Sequence, residues 1–187
     1  MQGLLSLSRS IDALLRLIAR IGGWLGAVLV TVVVYDVVTR YFGVPKVWGL
    51  TSTKIQESEY WLHSFLIVFV VGYAYTRQSH IRIDLVRERL PDRTKYWIEA
   101  IGISIALIPY SILGGWLAWP YAVQSYVSNE ISKSQTGLTD IWILKSGLII
   151  LFVLMGLAGL SQLIKAIAGI AGRLPAEMRD ETIGAGH

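Results

Sequence analysis

The chain contains no cysteine. That absence excludes disulfides, thiolate metal sites, iron–sulfur clusters and cysteine nucleophiles. Charge is scarce too: only 16% of the 187 residues are Asp, Glu, Lys or Arg, against about a quarter in a soluble domain. Histidine is limited to His63, His80 and His187. A transmembrane haem needs two axial ligands, and only His63 sits within an apolar run, which argues against a cytochrome-like role. There is no G-x-S-x-G, no H-E-x-x-H and no phosphate-binding glycine loop, so the sequence reads as a non-enzyme with no cofactor of its own. Nor is there a pair of broken, inverted helical segments of the kind that builds a self-sufficient transporter site.

What the chain does have is hydrophobic residues, 53% of the total, gathered into runs long enough to cross about 30 Å of hydrocarbon. The reading is an all-α membrane protein: four transmembrane helices at about residues 21–40, 56–76, 97–119 and 141–165, preceded by an N-terminal amphipathic helix over 1–20. A basic cytosolic middle loop joins the second and third spans. The four spans make one domain over 21–168, and residues 169–187 form a cytosolic tail with a mobile end. In the N-terminal helix Ile11, Leu14, Leu15 and Ile18 share a face, with Arg9, Arg16 and Arg20 largely off it, as expected of a helix lying on the inner membrane surface. Trp24, Trp48, Trp61, Trp97, Trp119 and Trp142 stand near the ends of apolar runs, where aromatic belts form.

Particular residues mark each span. In the first, Gly22 and Gly26 form a GxxxG pair suited to close helix approach, and Asp36 and Arg40 are four residues apart and able to neutralise each other. In the second, Gln56, Glu59 and His63 make a polar stripe, either covered by a partner helix or open to water and headgroups. The third should kink at Pro109, with Ser104 or Ser111 near the freed backbone groups, and end at Trp119-Pro120, before a polar loop from Tyr121 to Asp140. In the fourth, Lys145 lies one turn in and can snorkel, while Gly147, Gly156 and Gly159 thin the helix for packing.

Charge orients the spans. Arg9, Arg16, Arg20, Arg77, Arg82, Arg87, Arg89, Arg93, Lys95, Lys165, Arg173 and Arg179 all fall on one side, leaving five of the 17 basic residues on the other. Positive residues collect in the cytosol, so both termini are expected there. Blocks of positive charge beside apolar runs point to anionic headgroups rather than to nucleic acid. At the outer end Asp36, Arg40, Glu57, Glu59, Glu130, Asp140 and Lys145 should form an ion-paired polar layer.

The residues Asp36-x-x-x-Arg40-Tyr41, Gln56-Glu57-x-Glu59, Gly72-Tyr73-x-Tyr75, His80-Ile81-Arg82-Ile83-Asp84 and Leu90-Pro91 together resemble the small membrane subunit of TRAP transporters, the DctQ-like family. Trp119-Pro120, Ser125-Tyr126, Asn129-Glu130-x-Ser132, Gly137-Leu138 and Ile143-Leu144-Lys145 extend the resemblance over about residues 25–165. It implies a scaffold in the bacterial inner membrane that packs against a separate large subunit. That partner is the expected home of the substrate and sodium sites, and it is fed organic acids by a periplasmic binding protein. Asp36, Arg40, Glu57, Glu59, His63, Arg82, Asp84, Glu130 and Lys145 are then candidates for subunit contact or internal structure. Arg82 and Asp84 also fit contact with headgroups, and Glu57 and Glu59 fit docking of the binding protein. Two other classes stay open: an independent small transporter or channel, and a non-haem anchor subunit of a membrane redox enzyme.

Overall fold

The computed structural model describes residues 1–46, 49–79, 90–134 and 136–183, Asp180 by its backbone alone. Four long helical segments run up and down: α1 (Gln2–Tyr41), α2 (Ser52–Thr76), α3 (Asp92–Gly102) continuing through a π-helical turn (Ile103–Leu107) into α4 (Ile108–Val127), and α5 (Ile141–Ile170). A 3₁₀ turn (Ala176–Met178) and α6 (Asp180–Ile183) follow. No strand occurs among the described residues.

Among the described residues three helices are long and apolar enough to cross a membrane: α1, the α3–α4 segment and α5. The second expected span is helical over 25 residues but does not reach the same apolar composition. Lys54, Gln56, Glu57, Glu59 and His63 crowd its first turns.

α5 is the central helix. It packs against α1, α2 and the α3–α4 segment, while α1 and α2 also pack on each other. Small residues set these approaches. A methyl group on Gly22 would lie 2.9 Å from Phe69 Cβ, and one on Gly26 would lie 2.8 Å from Leu66 Cδ1, so the glycine pair does seat α1 on α2. Gly72 is tighter: its added Cβ would stand 2.9 Å from the Leu154 backbone oxygen and 3.1 Å from Leu15 Cδ2, where α1, α2 and α5 meet. Gly159 admits Leu107 in the same way.

The expected boundaries change in four places. α1 is one unbroken helix, without a separate amphipathic piece over 1–20. Its Ile11 and Leu15 pack with Leu154 and Ala158 of α5, so much of the face assigned to the membrane surface is spent inside the protein. Span 3 starts at Asp92 and does not end at Pro120. The helix runs on to Val127 because Ala118, Ala122 and Ser125 are buried at helical spacing beyond and before the proline; that packing outweighs one lost hydrogen bond. The connection to α5 therefore begins at Ser128, not Tyr121. At Pro109 the chain widens into the π turn just upstream, a usual accompaniment of a local helix distortion, and Ser111 Oγ donates to the Leu107 carbonyl at 2.8 Å. Finally, the tail is folded through Ile183: Met178 packs with Leu5, Ile164 and Ala168. Most of the basic middle loop expected between the second and third spans, residues 80–89, lies outside the described residues.

Candidate subunit interface and its polar clusters

Charged groups gather at the two ends of the helices. At the end where α1 stops, Asp36 is fully buried. It pairs with Arg40 one turn later and with Lys46 Nζ at 2.5 Å. Lys46 also donates to Ser52 Oγ at 2.9 Å, so the two cations hold the Asp36 charge and tie the end of α1 to the start of α2. A carboxylate buried without such partners would be strongly disfavoured.

Glu57 joins no ion pair among the described residues. Its carboxylate accepts from the Ser132 hydroxyl and from the Leu138 amide at 2.5 Å, pinning α2 to the loop between α4 and α5. Glu130 and Lys145 pair at 2.5 Å, and the Lys145 ammonium stands 3.9 Å from the Tyr121 ring centre. The Lys145 contact holds the exposed Glu130 carboxyl below its ordinary value. Asp140, in the left-handed region at φ 61°, accepts from Thr139 at 2.7 Å and from Trp142 Nε1 at 3.3 Å. Glu59 Oε1 is enclosed and accepts no hydrogen bond among the described residues, and His63 is exposed on the surface of α2. The expected polar layer thus exists, but as two ion-paired clusters plus hydrogen-bonded carboxylates. Arg82 and Asp84 lie outside the described residues.

The opposite end holds the most enclosed charge in the described chain, and the sequence reading missed it. Lys165 has no exposed surface. It meets Asp12 Oδ2 at 2.7 Å and Glu181 Oε2 at 3.3 Å. Asp12 Oδ1 accepts from Ser161 Oγ at 2.6 Å, and the Ser161 and Ser8 hydroxyls are 2.8 Å apart. Gln162 Nε2 donates to the Thr76 carbonyl at 2.9 Å and to the Glu181 carbonyl at 3.0 Å. Arg77 bonds Glu181 Oε1 at 2.7 Å, and its guanidinium is held charged, above its ordinary value, first by its hydrogen bond with Tyr73 and then by Glu181. Arg179 reaches Asp92 at the start of α3. One short C-terminal segment therefore touches all four long helical segments at this end. A signal was present: Ser8 and Asp12 share a face, as do Ser161 and Lys165, each four residues apart.

Among the described residues no group of three or more His, Asp or Glu is arranged to hold a metal. A cavity of about 570 Å³ lies between α2, α5 and the loop that joins α4 to α5, lined by Glu57, Tyr60, Tyr121, Glu130, Lys133 and Lys145 among others.

These features define a multi-pass helical membrane protein whose helices are clamped by charge at both ends. The model of the family "Tripartite ATP-independent periplasmic transporters, DctQ component" matches residues 29–169, and the chain belongs to that family. The family is a transporter component rather than an enzyme. No curated protein and no solved structure matches the chain.

Proposed function

We propose that this chain is the small membrane subunit of a sodium-coupled TRAP importer of organic acids in the bacterial inner membrane. It braces a separate large subunit and carries neither substrate nor sodium itself. Membership of the DctQ family supports the tripartite assembly. The observation that carries the scaffold role is the pair of charged clamps. Glu57 and Arg77 are about 30 Å apart along α2, Lys145 and Lys165 about 30 Å apart along α5, and Asp36 and Asp12 about 36 Å apart along α1, at 1.5 Å per residue. Those spacings match the hydrocarbon thickness of a bilayer. They support α2 as a fourth span, its polar first turns lying at the level of the Asp36 and Glu130 clusters.

A large subunit that moves its cargo across the bilayer needs a neighbour that does not follow it. Helices locked together at both membrane faces, with interfacial tryptophans and snorkelling Arg16 and Arg20, resist tilting and vertical shift. Both termini are cytosolic in this reading, with Asp36, Glu57 and Glu130 on the periplasmic side, where the binding protein docks.

Co-expression with the large subunit of the same transporter, followed by purification in mild detergent, tests the assignment. The two chains should elute together at a constant ratio; a small subunit that elutes alone from a folded preparation contradicts it. Because the chain has no cysteine, single cysteines at Ser52 and Ser79 test the fourth span. A membrane-impermeant maleimide applied to intact spheroplasts should label the first and not the second, and labelling of both or neither would place α2 on one side.

A further inference from the structure

α1 carries three arginines on one stripe. Arg9, Arg16 and Arg20 are seven and four residues apart, spacings that return to the same face of a helix, and all three are exposed. Asp12 is the only acid within a turn of them, and its carboxylate is taken up by Lys165 and Ser161 in the interior. No other carboxylate among the described residues pairs with the three.

Depth makes that arrangement costly. α1 is one of the helices able to cross a membrane, and the buried Asp36 stands at its other polar end. At 1.5 Å per residue Arg16 lies about 30 Å and Arg20 about 24 Å from Asp36 along the axis. The hydrocarbon is about 30 Å thick, so Arg16 meets its edge and the Arg20 backbone lies about 6 Å inside it. Side chains on a helix lean toward its N-terminus, which lifts the Arg20 guanidinium back toward the level of the phosphates. Two like charges one turn apart repel each other there unless an anion sits between them. Beside the stripe, Leu17, Ile21 and Trp24 are each more than half exposed. A pair of planar guanidiniums over an apolar face is complementary to a phosphate with acyl chains below it. Water alone would leave the repulsion in place. A carboxylate on a neighbouring helix would have to be carried to the same depth at a cost, whereas lipid phosphates already stand there. A zwitterionic headgroup would bring an ammonium against three arginines, and an anionic one does not.

We infer that Arg16 and Arg20 hold the phosphate of one anionic phospholipid. Arg9 extends the positive field over the rest of its headgroup, and Leu17, Ile21 and Trp24 lie against its chains. The site requires only that α1 crosses the bilayer, whatever large subunit the chain assembles with.

Native mass spectrometry of the full chain, delipidated in detergent and titrated with phosphatidylglycerol, tests it. One phosphatidylglycerol should stay bound at activation energies that strip the others, and phosphatidylcholine of the same chain length should not; equal retention of the two overturns the site. A large excess of inorganic phosphate should leave the lipid in place, and displacement by it would mean a free-phosphate site instead. Arg16→Gln/Arg20→Gln should bind phosphatidylglycerol about 30-fold more weakly. Lys133→Gln/Arg173→Gln, which removes the same charge elsewhere, should bind as the unmodified chain does; equal losses in the two variants reduce the effect to diffuse attraction and overturn the site. Arg16→Lys/Arg20→Lys keeps the charges and guards against misfolding. It should still prefer phosphatidylglycerol, several-fold more weakly, and loss of that preference contradicts the site. In the complex with the large subunit, loss of that subunit from the glutamine variant with the bound lipid unchanged shows the guanidiniums to face protein, and also overturns the inference.

Discussion

Replacing Lys165 with methionine probes the clamp that joins α1, α5 and the C-terminal segment. The ammonium has no exposed surface and sits between the carboxylates of Asp12 and Glu181. Methionine keeps most of the stem's packing and removes only the charge. Asp12 is then left with Ser161 as its hydrogen-bond donor, and Glu181 keeps Arg77. Removing one member of a buried pair costs about 3–5 kcal/mol. The two carboxylates here are partly exposed, at 12% and 26%, and one retains a cation, so about 3 kcal/mol is the reasoned loss. For a chain of this size that is about 6–12 °C in melting temperature, measurable by detergent-phase fluorescence unfolding. Adding Asp12→Asn should restore about half of the loss, because the stranded charge is neutralised. If Lys165→Met leaves the melting temperature unchanged, or if the two substitutions simply add, the clamp is not holding the helices as described.

Three further perturbations follow from other contacts. Gly72→Ala should cost about 1–3 kcal/mol, since its methyl group meets the Leu154 backbone, whereas Gly156→Ala, with its nearest neighbour at 3.6 Å, should be tolerated; paired melting curves check the contrast. Because the Glu130 carboxyl is held below its ordinary value in the folded chain, it contributes stability above the ordinary carboxylate range and loses it as pH falls through the folded value. Glu130→Gln should therefore lower stability at neutral pH and change little once pH has fallen below the folded value, which flattens the acid limb of a stability–pH profile. Asp36→Asn removes the charge that gathers Arg40 and Lys46. It should raise hydrogen exchange at the end of α1 and in the first turn of α2, with the inner cluster around Lys165 unchanged.

Local spacing carried the parts of the fold that the sequence made legible. Asp36 and Arg40 are one turn apart, so their pairing needed no tertiary information. Gly22 and Gly26 likewise announced a close approach, although not which helix would make it. What spacing cannot give is a partner distant in the chain. Glu57 looked like an ion-pair candidate, but its ligands are a hydroxyl and a backbone amide in the loop before α5. Asp12 and Lys165 are separated by most of the chain, so no local spacing pairs them. The tail looked polar enough to be free, yet one carboxylate, Glu181, has two cations waiting for it. Pro120 was read as a stop because helix propensity was weighed without the small residues around it, and burial of Ala118, Ala122 and Ser125 carries the helix past it. The stripe on α2 was recognised as polar, but only the structure separates the enclosed Glu59 oxygen from the exposed His63.

The central claim is that these helices support a transporting neighbour and do not themselves pass solute. Proteoliposomes with a sodium gradient test it most directly, loaded with the small subunit alone, the large subunit alone, or both, with the binding protein and a radiolabelled organic acid supplied outside. The account predicts uptake only when both membrane subunits and the binding protein are present, and none from the small subunit alone. Sodium-driven accumulation by the small subunit alone would contradict it.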